Sequence, residues 1–283
     1  ILLGATHQER ATPRILREVG MVHVMPTRMR QSAKARPRLR RQEAPVPDSW
    51  LGERSHDMKR AAKRAHTPMA ALWDMDAVLV ESGQFHFHAW SRLCRECGID
   101  LTEEGFRKTF GQRNDTILRE WMGDDTSPEV IARLGDLKEQ YYREAVKGNV
   151  QPLPGAMELL RALKRSGIRC AISSAAPPAN VWLILHELGA EELFDAVVTA
   201  NDVTKGKPDP QVYLLAARRL GAPPRRCVVL EDAVAGVEGA KAAGMACIAV
   251  ASNHPPDGLS AADLVVPNLE GVTPETLASL LRD

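Results

Sequence analysis

The sequence predicts an α/β fold: a doubly wound parallel sheet carrying an inserted α-helical cap domain. Three observations lead there. After Met69, apolar runs of about four or five residues recur, with charged or turn residues at their ends, the pattern of strands buried on both faces. Helical patterns separate most of these runs, and strand–helix alternation builds parallel sheets through crossover connections. One interval, about residues 83–150, holds helical patterns alone. It is too long for a connecting loop and reads as an insertion.

The elements follow in order. Residues 1–68 carry 15 Lys and Arg against 6 Asp and Glu, net +9, and the rest carry 22 against 30, net −8, so the chain's overall +1 describes neither part. Runs such as RMRQSAKARPRLRRQE, with scattered prolines, cannot bury enough apolar surface to offset chain entropy, so this part reads as a disordered basic extension. Three uses compete. A nucleic-acid-binding arm would interleave aromatics for stacking, which are lacking here. An organelle-targeting segment would be Arg-rich and acid-poor, but this one is long and holds prolines. The favoured reading is a segment foreign to the natural protein, because the chain begins with Ile and Met69 stands just before the first strand. Nucleic acid is not expected as a partner.

The first strand is Ala70–Trp73. The helical patterns FHFHAWSRLCREC, TEEGFRKTF, DTILREWM and SPEVIARLGDLKEQYYREAV fill the insertion. GAMELLRALKRSG then opens after Pro154 and stops at Gly167, with Met157, Leu159, Leu160 and Leu163 on one face. Strands follow at Arg169–Ser173, Ala196–Thr199, Cys227–Leu230 and Ala246–Val250, with a weaker one at Leu264–Val266. DPQVYLLAARRLG and AVAGVEGAKAAG supply helices between them. The expected core domain is therefore 69–82 with 151–283, and the cap is 83–150. Inserted at the carboxyl end of the first strand, the cap sits over the crevice where α/β sheets bind ligands. No window approaches 18 consecutive apolar residues, which argues against a membrane span. Five scattered cysteines point to reduced thiols and a cytoplasmic setting. Cys94 and Cys97 have the spacing of a redox or metal pair, but no second pair completes a zinc site, and on a helix the spacing reads as two small half-buried residues.

The strand ends carry the chemistry. The first presents Asp74 and Asp76, the second Ser173 and Ser174, the third leads to KGKPDP with Lys205 and Lys207, and the fourth presents Glu231 and Asp232. Singly these are caps and turns; together they send carboxylates, a hydroxyl and an ammonium toward one crevice. Phosphoryl transfer needs that set. Hard oxygen ligands suit Mg²⁺, a carboxylate nucleophile splits one displacement into two, a second carboxylate handles protons, and a hydroxyl and an ammonium offset phosphoryl charge.

DMDAVLVES, ISSA, KGKPDP and LEDAVAG, in that order, resemble the four motifs of the haloacid dehalogenase (HAD) superfamily, and within it the β-phosphoglucomutase-like phosphatases with a helical cap. The resemblance covers Met69 to Asp283. It implies Asp74 as nucleophile, Asp76 as general acid/base, and Ser174 with Lys207 holding the phosphoryl group. It also implies Mg²⁺ bound by the Asp74 carboxylate, the Asp76 carbonyl and Asp232, with Glu231 in support. Lys207 is the better match because it directly precedes the proline. The chain departs from the family at Ala77, where Gly is usual, at Glu81, where Asp is common, and after Ser174, where Ala175-Ala176-Pro177-Pro178 replaces the serine and lysine often found in the mutases. If the turn at Ala77 needs positive φ, alanine costs about 1 kcal/mol. QFHFHAW resembles the mutase's cap entry, making His86 a hinge or substrate-sensing residue. FGQRND places Arg113 in a loop of the cap, to grip a second anionic group. The implied activity is Mg²⁺-dependent hydrolysis of a small phosphorylated metabolite, such as a sugar phosphate. β-Phosphoglucomutase activity is the alternative.

Overall fold

The computed structural model describes residues 68–252 and 255–281. The expectations for the basic extension, Pro68 apart, lie outside them. Six strands form one parallel sheet in the order β3-β2-β1-β4-β5-β6: β1 Ala70–Trp73, β2 Arg169–Ser173, β3 Ala196–Val198, β4 Cys227–Glu231, β5 Ala246–Val250 and β6 Leu264–Val266. Ala70 aligns with Arg169 on one side and Cys227 on the other, which makes β1 and β4 the middle of the sheet. Both are buried along their whole length. Alternate residues feed two apolar clusters, Ala71 and Trp73 on one face and Ala70 and Leu72 on the other, so unbroken apolar runs are what a doubly covered strand requires.

Helices α5 Ala156–Arg165 and α6 Pro178–Leu188 pack on the first face through Leu160, Leu163, Ile184 and Leu185. Helices α7 Gln211–Leu220 and α8 Val234–Ala242 pack on the second through Tyr213, Ala216, Val237 and Ala240. α9 Pro274–Leu280 closes the described chain and buries Leu277. The expected strands appear with two shifts. β3 stops at Val198, because Thr199 instead caps a single helical turn in a reciprocal bond with Asp202, and β4 continues to Glu231, which aligns with Ala249. α6 and α9 were not foreseen: PANVWLILHEL is too uniformly apolar to show a helical period, and α9 is only 7 residues long.

Between β1 and α5 lie four helices and no strand: α1 Gly83–Cys97, α2 Glu103–Thr109, α3 Asn114–Met122 and α4 Pro128–Val146. The outgoing and returning chains run side by side, with Glu81 N–H donating to the Gln151 carbonyl (3.0 Å) and Leu153 N–H to that of Leu79 (2.9 Å). Gly155, just inside this junction, has φ +80°, and a Cβ there would collide with the backbone of Leu269 and Glu270. That position is pinned by packing rather than free to swing. No helix among the described residues is long and apolar enough to cross a membrane.

Candidate active site

The carboxyl ends of β1 and β4 lie at the centre of the sheet, where ligands bind in doubly wound folds. Asp74 directly follows β1 and is tied to its neighbour by its N–H to the Leu230 carbonyl (2.9 Å). Lys207 reaches in from the loop after β3, its side chain only 5% exposed, with Nζ 2.5 Å from Asp74 Oδ1 and also bonded to Glu231 Oε1. Lys205 stays outside, paired with Asp209. Glu231 is gripped on both oxygens: Tyr213 donates to Oε1 (2.7 Å), and the N–H groups of Asp232 and Ala233 donate to Oε2 (3.0 and 3.3 Å). The carboxylate oxygens of Asp74, Glu231 and Asp232 lie within 4.8 Å of one another, all buried. Gly236 in α8 makes room for them, since a Cβ there would overlap the Glu231 carboxyl group.

Charge follows from this geometry. Burial pushes the Asp74 carboxyl up to about 7; Lys207 opposes the rise, and Glu231 and Asp76 add to it. Burial alone would pull the Lys207 ammonium down, but Asp74 and Glu231 overcome it and hold it above its ordinary value. Burial of carboxylates this close together is relieved either by a proton held on Asp74, as its raised carboxyl shows, or by a cation among their oxygens.

Asp76 sits in the turn beyond β1. Ser82 Oγ donates to its Oδ1 (2.5 Å), and His86 Nε2 lies 3.1 Å from the same atom. The Lys138 ammonium is 2.8 Å from His86 Nδ1 and 2.8 Å from Glu139 Oε1. An ammonium only donates, so Nδ1 accepts and Nε2 carries the proton toward Asp76. Tyr142 stacks on the imidazole at 4.0 Å. Burial disfavours charge on Asp76, but His86, Ser82 and Lys138 outweigh it and hold its carboxyl below the usual range.

A cavity of about 50 Å³ joins the two groups, with Asp74, Asp76, Ser174 and Asp232 on the sheet side and His86, Phe110, Lys138 and Glu139 on the other. The structure thus brings Asp74, Asp76, His86, Ser174, Lys207, Glu231 and Asp232 to one place. It does not bring Ser173 or Arg113 to the cavity wall. Ser173 is the last residue of β2, fully buried, with no hydrogen-bond partner for its hydroxyl; successive strand residues face opposite ways, so Ser174 alone reaches the crevice. Arg113 bonds Asp115 (3.1 Å) and the Ala200 carbonyl (3.3 Å) and lines two neighbouring spaces, one of them shared with Ser174 and Lys207. Cys94 and Cys97 are buried on α1, with thiols pushed up to about 12 and about 11 chiefly by burial, which suits packing rather than redox or metal chemistry.

The model of the haloacid dehalogenase-like hydrolases matches residues 68–244. The chain belongs to this family. Hexitol phosphatase A of Escherichia coli (strain K12) is 37% identical over 206 residues, spanning 71% of this chain and 92% of that protein. Protein CbbY of Rhodobacter capsulatus is 32% identical over 222 residues, spanning 75% and 98%. Among solved structures, the β-phosphoglucomutase of Clostridium difficile matches with a TM-score of 0.69 at 26% identity, covering 76% of this chain and 97% of its own.

Sequence reasoning about this hydrolase overlooked Ser82, Lys138, Glu139, Tyr142, Tyr213 and Gly236. One signal was present: Leu134, Lys138 and Tyr142 share one face of α4 at four-residue spacing, and all three are buried. A lysine inside an apolar stripe needs a partner in the interior.

Proposed function

We propose that this hydrolase is a Mg²⁺-dependent phosphoric monoester hydrolase acting on a small phosphorylated metabolite of the sugar-phosphate or hexitol-phosphate class through an aspartyl-phosphate. The observation that carries the reading is the convergence of buried Asp74, Lys207, Glu231 and Asp232 within bonding reach, with Asp76 held two residues away by Ser82 and His86. Relatives named as phosphatases of hexitols and phosphorylated carbohydrates support the substrate class.

The donor set fits the metal. Asp74, Glu231 and Asp232 offer hard oxygens within 4.8 Å of one another, and their surplus charge matches a divalent cation. Asp74 and Asp232 would hold it, with the Asp76 carbonyl contributing and Glu231 in support. When bound, Mg²⁺ supplies charge neutralisation of the phosphoryl oxygens.

The chain's own groups do the rest. Ser174 and Lys207 hold the phosphoryl group. Asp74 Oδ attacks phosphorus as the bond to the leaving oxygen breaks, and the Asp76 carboxyl, having first taken up a proton from solvent against the pull of Ser82 and His86, gives that oxygen its proton. Asp76, now ionised, takes a proton from water as the water attacks phosphorus, releasing phosphate and regenerating Asp74. His86 orients Asp76, and residues 83–150 serve as a cap that excludes bulk water. Hydrolysis is favoured over the mutase reaction because Arg113, the expected grip on a second phosphate, is engaged with Asp115 and the Ala200 carbonyl outside the cavity.

Phosphate release from a panel of sugar and hexitol phosphates, with Mg²⁺ and with EDTA, tests this. Release that requires Mg²⁺ and vanishes in Asp74→Asn is expected. Release by Asp74→Asn at the wild-type rate, or isomerisation of β-glucose 1-phosphate without release, would sink it.

A further inference from the structure

Tyr213 lies on α7, wholly buried, and the proposed chemistry gives it nothing to do. Its hydroxyl nevertheless donates to Glu231 Oε1 at 2.7 Å, the same oxygen that accepts from Lys207. Glu231 Oε2 accepts from the N–H groups of Asp232 and Ala233. A carboxylate offers about four lone-pair sites, and these donors match them one to one.

The ring is seated as firmly as the hydroxyl. A Cβ on Gly239 of α8 would stand 3.0 Å from Tyr213 Cε2 and 3.1 Å from the Pro208 carbonyl oxygen. The ring thus packs on bare α8 backbone, beside the residue that directly follows Lys207. The Lys207 ammonium lies 5.6 Å from the ring centroid, within reach of its π face.

Lys207 has a divided task. Its ammonium donates to Asp74 Oδ1 at 2.5 Å and to Glu231 Oε1, and a third N–H remains for a phosphoryl oxygen. Where the ammonium sits between the two carboxylates depends on how strongly each attracts it. An oxygen that already accepts one hydrogen bond has given up electron density and accepts a second more weakly. The Tyr213 hydroxyl accordingly loosens the hold of Glu231 and leaves more of the ammonium to Asp74 and the phosphoryl group.

We propose that Tyr213 is a positioning residue for Lys207: its hydroxyl shares Glu231 Oε1 with the ammonium and so keeps Lys207 from being drawn off Asp74 and the phosphoryl group. The proposal rests on the reading of Lys207 as a holder of that group. It extends the site to α7, an element that presents nothing to the cavity over Asp74.

Two titrations of the full chain test it, each read by calorimetry: Mg²⁺ alone, and inorganic phosphate at saturating Mg²⁺. Tyr213→Phe keeps the ring, its seat on Gly239 and its place beside the ammonium, and removes only the hydroxyl. It should weaken phosphate binding about tenfold, the lower end of what losing an outer partner costs at such sites, and move Mg²⁺ binding less than about threefold. A larger shift in Mg²⁺ binding than in phosphate binding would make Tyr213 a support for the cation. Comparable shifts in both, or none in phosphate binding, would make it packing. Each of those results overturns the proposal. The effect must also run through Glu231. In a Glu231→Gln background, where the shared oxygen has lost its charge, adding Tyr213→Phe should change phosphate binding less than about twofold; a further loss of about tenfold there would overturn the proposal as well. If Glu231→Gln fails to fold, the two titrations of Tyr213→Phe decide. Lys207→Met should abolish phosphate binding, and wild-type affinity there would overturn the reading of Lys207 itself.

Discussion

Ala77 stands at φ 60°, the sole non-glycine residue with positive φ among the described residues. The turn that aims Asp76 requires this conformation: Ala77 N–H donates to the Val80 carbonyl (2.8 Å), and Leu79 and Val80 N–H both return to the Met75 carbonyl. Left-handed backbone costs an L-residue about 1–2 kcal/mol, while the buried methyl returns about 0.8 kcal/mol. Ala77→Gly should therefore stabilise the fold by about 0.5 kcal/mol, read from the urea midpoint; a lower midpoint would contradict it. Asp74 sets a pH dependence of its own. Its carboxyl ionises near 3.8 when unfolded and near 7 in the cation-free fold. Across that window the folded chain keeps a proton the unfolded chain has lost, so Asp74's contribution to stability falls as pH rises through it. In EDTA, wild type should lose stability between pH 4.5 and 7, and Asp74→Asn should lose less. Since a neighbouring cation favours the carboxylate, the acid limb of kcat/KM should sit near 7 at limiting Mg²⁺ and move down at saturation. An acid limb that ignores Mg²⁺ would argue against the metal beside Asp74.

At the scale of elements, strands supply backbone anchors and helices supply clearance. β4 delivers Glu231 and Asp232 together, α7 sends Tyr213 to hold Glu231, and α8 passes so close that its Gly236 leaves no room for a methyl. On an exposed helix, glycine to alanine would gain about 0.8–1.0 kcal/mol. Here the added methyl must displace the Glu231 carboxyl. Gly236→Ala should raise the Mg²⁺ concentration for half-maximal rate about tenfold or more, the scale of lost support around metal ligands. A Mg²⁺ titration of phosphate release checks it, and an unchanged midpoint would show that Glu231 does not support the cation.

Over the whole molecule, every residue assigned to the site lies from Asp74 onward. Deleting residues 1–67 should leave kcat/KM within about twofold, because none of those assigned groups is removed. A large loss, or retention on nucleic acid that disappears with the segment, would instead support a working basic arm. Arg113 ties the inserted helices to the Ala200 carbonyl and lies with its stem against Gly206. Arg113→Ala should therefore weaken turnover of monophosphates and bisphosphates alike, and a loss confined to substrates with a second anionic group would return Arg113 to the role of a specificity residue.

The sheet was legible in the sequence because a strand covered on both faces writes itself as an apolar run: AALW, CVVLE and ACIAV need no context to be read. The polar groups that the fold gathers at the sheet's centre were legible for a related reason. Asp74, Ser174 and Asp232 follow such runs and Glu231 ends one, where carboxylates are costly unless they meet a partner; Lys207 stands further on, in the loop after β3. Tertiary structure decided the rest. Ser173 and Ser174 are chemically identical, and only the pleat sends one toward the crevice and the other into the core. Arg113 looks in sequence like any loop cation until Ala200 appears beside it. Lys138 and Glu139 are neighbours on α4 but distant in sequence from His86, Asp76 and Asn180, and the bonds among them exist only where α4 packs against α1 and α6. Burial leaves its mark residue by residue along the sequence; partnership across a seam is a property of two surfaces, and it takes form only when they meet.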